Sequence, residues 1–394
     1  MFTKNIKIDL KKTIPLLILI GLWLTPLFTI DEVIHTITTG GRPIRSETLV
    51  FIKLIKDCIF AFIILITIIS KIKSENNKFN KYFILFSIIV FISIIATTLL
   101  TKEYIYIIAG LRWSMAIFLI FSLTRYVDLN LQIKISKVLK YLFFLNFLIQ
   151  IYQVLGLSNY WGTNLFGFNA RNPGIFAENN TASFFILTTL YYNIFFFSKK
   201  KISTTLLVFL SPISIFLTGS GTGMIVIFIL FAYLLYKKLK KDLRLELFYC
   251  LILLVFFASF LYFMPSILSR NAVYTSLLIR VKKIFLHLEI ENIFFSKNFG
   301  FATNTGNLLQ AKFDLENSFI IADSTLVSLM VNTGLVSSIL FYAGFIYLKN
   351  NTTVYNTFMI VFALSSLTCI IFEAFPLNLL LAVNIAYFYK QKIK

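Results

Sequence analysis

A chain of 394 residues that is 58% hydrophobic and only 14% charged has too little polar surface for a soluble globule, so its class is a polytopic membrane protein. The net charge of +20 points to basic cytoplasmic anchoring loops and not to a nucleic-acid partner. The three cysteines, Cys58, Cys250 and Cys369, fall in apolar runs without metal or redox spacing, which excludes a disulfide framework or zinc site.

Windows long enough to cross about 30 Å of hydrocarbon fall at 13–30, 48–70, 82–100, 104–123, 141–157, 179–197, 203–219, 222–236, 246–264, 324–348, 357–372 and 377–389. The first has a basic flank but no small-residue cleavage site, so it reads as a retained helix and not a signal peptide. The expected fold is all-α, with about 12 transmembrane helices in one membrane-embedded domain, 1–394. The N-terminus, the C-terminus and every second loop between them hold 24 Lys and Arg, against 10 in the alternate loops. The positive-inside rule then places both termini in the cytoplasm, and 265–323 outside, as one large loop between helices 9 and 10. No internal repeat suggests an inverted-repeat transporter.

In chain order, Lys53, Lys56 and Asp57 fall near the outer end of the second segment, where a Lys–Asp structural pair is expected. Arg112 lies about nine residues into the fourth (YIYIIAGLRWSM). A charge there costs about 2.5–3.5 kcal/mol, so it faces the bundle interior or a wet cavity, unless it snorkels outward. Asn146, Gln150 and Gln153 share one face of the fifth helix by their i, i+4, i+7 spacing. Two roles fit them: interhelical hydrogen bonding, or the floor of a sugar site, where hydroxyls need amide partners. The next outer loop, SNYWGTNLFGFNARNPGIFAENN, carries Tyr160 and Trp161 for the membrane interface, then Arg171, then Glu178 at the start of a helix. A lone Arg171 reads first as a solvated loop charge.

Residues 266–290 carry two stripes at helical spacing, Val273, Leu277, Val281, Ile284 and Leu288 on one face and Arg280, Lys283 and His287 on another. Such an amphipathic helix lies on a membrane surface, where its cations meet lipid headgroups or clamp a phosphate. In KNFGFATNTGNLL (297–309), Gly300 and Gly306 permit close backbone approach, but no GK[ST] follows, so this is not a P-loop. Asp323 precedes the tenth segment as an expected N-cap. The sequence has no His–carboxylate cluster with metal spacing, no DxD pair and no GxSxG elbow. A metal- or nucleotide-sugar-dependent enzyme is therefore disfavoured, and no cofactor is expected.

RNPGIFAENNTASF (171–184), SIFLTGSGTGMI (214–225), LIRVKK (278–283) leading to NFGFATNTG (298–306), and ADSTLVSLMVNTGLVSSILFY (322–342) follow one another in an order that resembles the Wzy-type O-antigen and capsule repeat-unit polymerases. These are related to the O-antigen ligases and belong with the GT-C glycosyltransferases. The resemblance implies an enzyme of the bacterial inner membrane that works on its extracytoplasmic face. It would move a growing glycan from polyprenyl pyrophosphate to a sugar hydroxyl of a new lipid-linked repeat unit, with inverting or retaining outcome. It also implies that Arg171 and Arg280, with Arg270 or Arg112, hold the pyrophosphate, and that Asp323 or Glu178 orients or deprotonates the acceptor. Implied partners are the polyprenyl-pyrophosphate oligosaccharide as donor and acceptor, membrane lipids and a chain-length regulator protein. Ligases typically carry His-Asn where this chain has Asp323-Ser324, which favours the polymerase. Many relatives have Ser-Arg after the LTG turn. Here Ser220 is followed by Gly221, so that basic contact is absent or supplied elsewhere, as by Arg112. The rival readings are an O-antigen ligase and a multi-pass transporter or flippase. A transporter places ionisable residues mid-membrane along a two-sided path, whereas here they gather at the outer ends.

Overall fold

The computed structural model describes residues 9–28, 50–72, 81–101, 104–157, 172–176, 178–197, 202–238, 293–306, 324–350 and 352–393. Among these the protein is all-α, without strands. Twelve α-helices follow in order: α1 Leu10–Trp23, α2 Val50–Ile72, α3 Lys81–Thr101, α4 Tyr104–Leu123, α5 Leu129–Tyr152, α6 Asn179–Phe195, α7 Ile202–Thr218, α8 Gly221–Lys238, α9 Thr325–Thr333, α10 Leu335–Tyr347, α11 Thr353–Ser366 and α12 Leu377–Ile393. The expected segment 246–264 and the amphipathic helix over 266–290 lie outside the described residues.

Local chemistry sets the helix starts. Asp128 sits in extended backbone before α5 and accepts the Leu131 N–H at 2.8 Å. Asp9 caps α1 and Thr352 caps α11 in the same way. α5 begins a dozen residues before its apolar window, so its first turns carry Lys134, Lys137 and Lys140. It then runs into a π-helical turn, Gln153–Leu157.

Among the described residues, two stretches are long and apolar enough to cross a membrane, Tyr106–Leu123 and Leu129–Leu155. The surface is also apolar where a soluble protein would be polar. α2 exposes Phe62, Leu65 and Ile69, and α3 exposes Ile88, Phe91 and Leu99, while Ser93, Thr97, Asn146, Gln150, Asn332 and Asn384 are buried. Water would drive such faces together; hydrocarbon accepts them, and it forces the polar groups to find partners inside. α6 and α12 form the centre. From Thr181 to Asn193 and from Leu377 to Tyr389 every residue is buried, as in a helix packed on all sides. They meet where Asn384 donates to the Tyr192 hydroxyl at 2.8 Å and accepts from Tyr191 at 3.3 Å.

The continuous helix expected over 324–348 is broken at Gly334, whose φ of 88° ends α9 before α10 begins. Residues 293–302 pack into this break. The Val336 N–H donates to the Ile293 carbonyl at 2.9 Å, and the Ser296 hydroxyl donates to the Val331 carbonyl. Asn332 Oδ1 accepts the Gly300 N–H at 2.9 Å, and Ser328 donates to the Ala302 carbonyl at 2.8 Å. On the opposite side, Ser93 and Thr97 of α3 accept the N–H groups of Ser296 and Phe299 at 3.2 and 2.9 Å. Irregular backbone is tolerated inside a bundle only when protein meets its polar groups in this way. Phe299 lies so close to α4 that a Cβ on Gly110 would collide with its ring, and a Cβ on Gly300 would strike the Tyr106 carbonyl. The 298–306 motif therefore enters the bundle, where the sequence suggested an outer loop. Its Phe299, Phe301 and Ala302 are buried.

Candidate functional site

Arg112 is the centre of an ionic network. Its Nε lies 2.7 Å from Asp57 Oδ2 on α2, and its Nη1 donates to Thr305 Oγ1 at 3.0 Å. Its Nη2 has no hydrogen-bond partner among the described residues, and the side chain is 29% exposed. Lys56 Nζ reaches the other Asp57 oxygen at 3.3 Å and lies 5.6 Å above the Phe375 ring. The Lys–Asp pair expected in α2 is thus present as Lys56–Asp57. Arg112 is held by partners on α2 and in the 293–306 segment.

The remaining member of the network is Glu373, in the 367–376 connection between α11 and α12. Its carboxylate accepts the Asn304 N–H at 2.6 Å, and the N–H and hydroxyl of Thr305, each at 3.2 Å. Those amides open a helical turn at Asn304. Thr303 Oγ1 closes the same turn by accepting the Gly306 N–H at 2.8 Å. Burial pushes the Glu373 carboxyl above the usual carboxylate range, against the pull of the two backbone N–H groups and of the Arg112 charge. Trp113, one residue after Arg112, sets its ring edge-on to Phe372 at 5.0 Å, which fixes α4 against this connection.

The same connection ties down two helix starts. The Thr325 N–H and hydroxyl both donate to the Cys369 carbonyl, at 3.1 and 2.6 Å, and Asn180 Nδ2 donates to the Thr368 carbonyl at 3.0 Å. Asn180 Oδ1 in turn accepts the Ser220 hydroxyl at 2.8 Å, and Ser183 donates to Ser220 at 3.2 Å. The LTGSGTG turn, the start of α6, the start of α9 and the 293–306 segment are thus held together around residues 367–376.

Glu178 is exposed at the N-cap of α6 and accepts the Thr181 hydroxyl at 3.2 Å without bonding a helix amide. Thr181 Oγ1 lies 3.9 Å from Cys369 Sγ, so Glu178 borders the same connection. The N-cap expected of Asp323 falls to Ser324, whose hydroxyl accepts the Val327 N–H at 3.2 Å. Asp323, Arg171, Arg270 and Arg280 lie outside the described residues.

Of Asn146, Gln150 and Gln153, Gln150 bonds across helices, to Ser214 of α7, whereas Asn146 and Gln153 bond the 172–176 segment. All three are buried, and their amides hold the 172–176 segment. Gln150 Nε2 donates to the Asn172 and Ser214 carbonyls at 2.9 and 3.1 Å. Gln153 exchanges two hydrogen bonds with Gly174, and Asn146 Oδ1 accepts the Ile175 N–H at 2.9 Å. Asn146 Nδ2 is buried without a hydrogen-bond partner among the described residues.

Asp57 as the partner of Arg112, Thr305 and Glu373 were not singled out in the sequence. Glu373 did carry a signal: it is a single carboxylate within IIFEAFPLNLLL, and an ionisable residue between apolar stretches marks an interior polar site. No family model, curated protein or solved structure matches this chain.

Proposed function

We propose that the chain is a multi-pass membrane glycosyltransferase that polymerises polyprenyl-pyrophosphate-linked repeat units into O-antigen or capsular polysaccharide. In this reading about twelve helices cross the bilayer, both termini are cytoplasmic, and the Arg112 network opens on the outer face. The observation that carries it is the state of Arg112. The guanidinium is held by Asp57 and Thr305, and its Nη2 edge is left for an anion. Arginine suits pyrophosphate because its planar fork meets two phosphate oxygens and never loses its charge.

In the reaction the bond between the donor sugar's anomeric carbon and its pyrophosphate oxygen breaks. A bond forms from that carbon to an acceptor hydroxyl oxygen, and the hydroxyl proton passes to a carboxylate. Pyrophosphate is already a competent leaving group, so fixed cations and positioning supply most of what the transition state needs. Arg112, Arg171, Arg280 and Arg270 are the proposed cations, and Asp323 or Glu178 the carboxylate. A second reading, a transporter of a lipid-linked anion, draws on the broken helix at Gly334 and the segment packed into it.

Sizing the surface glycans of a strain lacking this chain decides between them. The proposal expects glycans of one repeat unit. An unchanged ladder overturns it, and complete loss of surface glycan transfers the chain to the ligase or transporter class.

A further inference from the structure

Arg112 has five N–H groups, and the network engages two of them. The Nε bond to Asp57 alone leaves the guanidinium free to swing about that contact. The second bond, from Nη1 to Thr305, fixes its plane. Thr305 is well placed to do this because its hydroxyl has one proton, and that proton is directed to Glu373 Oε1 at 3.2 Å. The oxygen's lone pairs are then left for Arg112. Glu373 cannot turn away either, because the Asn304 and Thr305 amides hold it at 2.6 and 3.2 Å. The orientation of Arg112 thus traces back to the backbone of a helical turn and not to another mobile side chain.

We propose that Thr305 is a positioning residue that aims the free edge of Arg112 at the phosphate oxygens of the substrate, with Glu373 locking the Thr305 hydroxyl. The inference rests on the glycosyl-transfer reading for its ligand class, a pyrophosphate ester. Its physical basis is preorganisation: a fork already held in its bound orientation loses less freedom when the anion arrives.

Inorganic pyrophosphate titrated into the detergent-purified full-length protein tests it, beside Thr305→Val, Thr305→Ser, Glu373→Gln and Arg112→Gln. Thr305→Val keeps the side-chain volume and removes the hydroxyl. It is expected to weaken pyrophosphate about tenfold, or ~1.4 kcal/mol, with little change in thermal midpoint. Thr305→Ser restores the hydroxyl and is expected to bind within about twofold of the parent, a rescue that a purely packing role for Thr305 would not give.

Parental affinity in Thr305→Val, with binding lost in Arg112→Gln, overturns the role of Thr305 and leaves the reading of Arg112 standing. Equal weakening in the Val and Ser variants also overturns that role. Parental affinity in Arg112→Gln, or no binding by the parent protein, overturns both. Should Thr305→Val fail to extract as folded protein, Glu373→Gln takes its place, and parental affinity there overturns the proposal. Phosphatidylglycerol in mixed micelles is expected not to displace pyrophosphate. Displacement would make Arg112 an ordinary headgroup contact and overturn the proposal.

Discussion

Gln150 of α5 and Ser214 of α7 are bonded twice, the Gln150 amide nitrogen to the Ser214 carbonyl and the Ser214 hydroxyl to the Gln150 amide oxygen. The same nitrogen also holds the Asn172 carbonyl. One buried amide thus fastens two helices and the 172–176 segment. In a bundle without water, such bonds replace the hydrophobic drive that holds soluble helices together.

Gln150→Leu is therefore expected to take from the Asn172 carbonyl and the Ser214 hydroxyl the buried partner that Gln150 gives each, at about 1–3 kcal/mol for each group. A lower thermal midpoint in detergent checks this. Hydrogen exchange gives a residue-level test of the other two amides. Gln153→Ala is expected to speed exchange at the Gly174 N–H, and Asn146→Ala at the Ile175 N–H, because those side chains accept these protons. Unchanged exchange at both sites would mean that these amides do not brace 172–176.

What could be read in the sequence, and what could not, follows from the length scale of each signal. Apolar windows average over nearly twenty residues, so they located the helices among the described residues, including the LTGSGTG turn that parts α7 from α8. The same averaging hid the break at Gly334, one residue inside an apolar run, whose evidence is a backbone angle. It also hid the burial of 298–306, because Phe299, Phe301 and Ala302 are diluted by Asn, Thr and Gly. The i, i+4, i+7 spacing of Asn146, Gln150 and Gln153 fixed their common face, but their partners are backbone groups, which carry no sequence signature. That Arg112 needs polar partners was legible from its cost in lipid. Its partners Asp57 and Thr305 were not, being 55 and 193 positions away along the chain.

The Asp57–Arg112 pair yields a second prediction. The two side chains are 15% and 29% exposed, between the exposed pairs worth ~0–1 kcal/mol and the buried ones whose disruption costs about 3–5 kcal/mol. Asp57→Asn is expected to lower stability by roughly 2 kcal/mol on that scale, since it leaves Lys56 and Arg112 without their shared counter-charge. The double variant Asp57→Asn/Arg112→Gln is expected to be more stable than the sum of the single changes implies. Strict additivity in thermal unfolding would show that the pair contributes no coupling.

The N-cap role that the sequence placed on Asp323 is taken by Ser324. Ser324 caps α9, so Ser324→Ala is expected to cost roughly 0.5–2 kcal/mol. Asp323→Asn is expected to leave the extracted protein as stable as the parent. If Asp323 supplies the charge that orients or deprotonates the acceptor, the same change is expected to reduce the glycan to single repeats, while Asp323→Glu keeps part of the ladder. A full ladder from Asp323→Asn removes Asp323 from the chemistry. Glu178 is then the next carboxylate to test, because it borders the 367–376 connection through Thr181 and Cys369.

Arg171 and Arg280 are the last pair to separate from ordinary loop charges. Arg171 directly precedes the braced 172–176 segment, in which the Asn172 N–H donates to the Leu217 carbonyl at 2.9 Å. If both arginines grip pyrophosphate, Arg171→Ala and Arg280→Ala are each expected to abolish long chains while the extracted protein persists at parental level. Lysine keeps the charge and loses the planar fork, so Arg171→Lys and Arg280→Lys are expected to restore only short ladders. The graded order Arg, Lys, Ala in glycan length is the signature of bidentate phosphate binding. Lysine performing as well as arginine at both positions would reduce them to headgroup contacts and leave Arg112 as the proposed phosphate ligand.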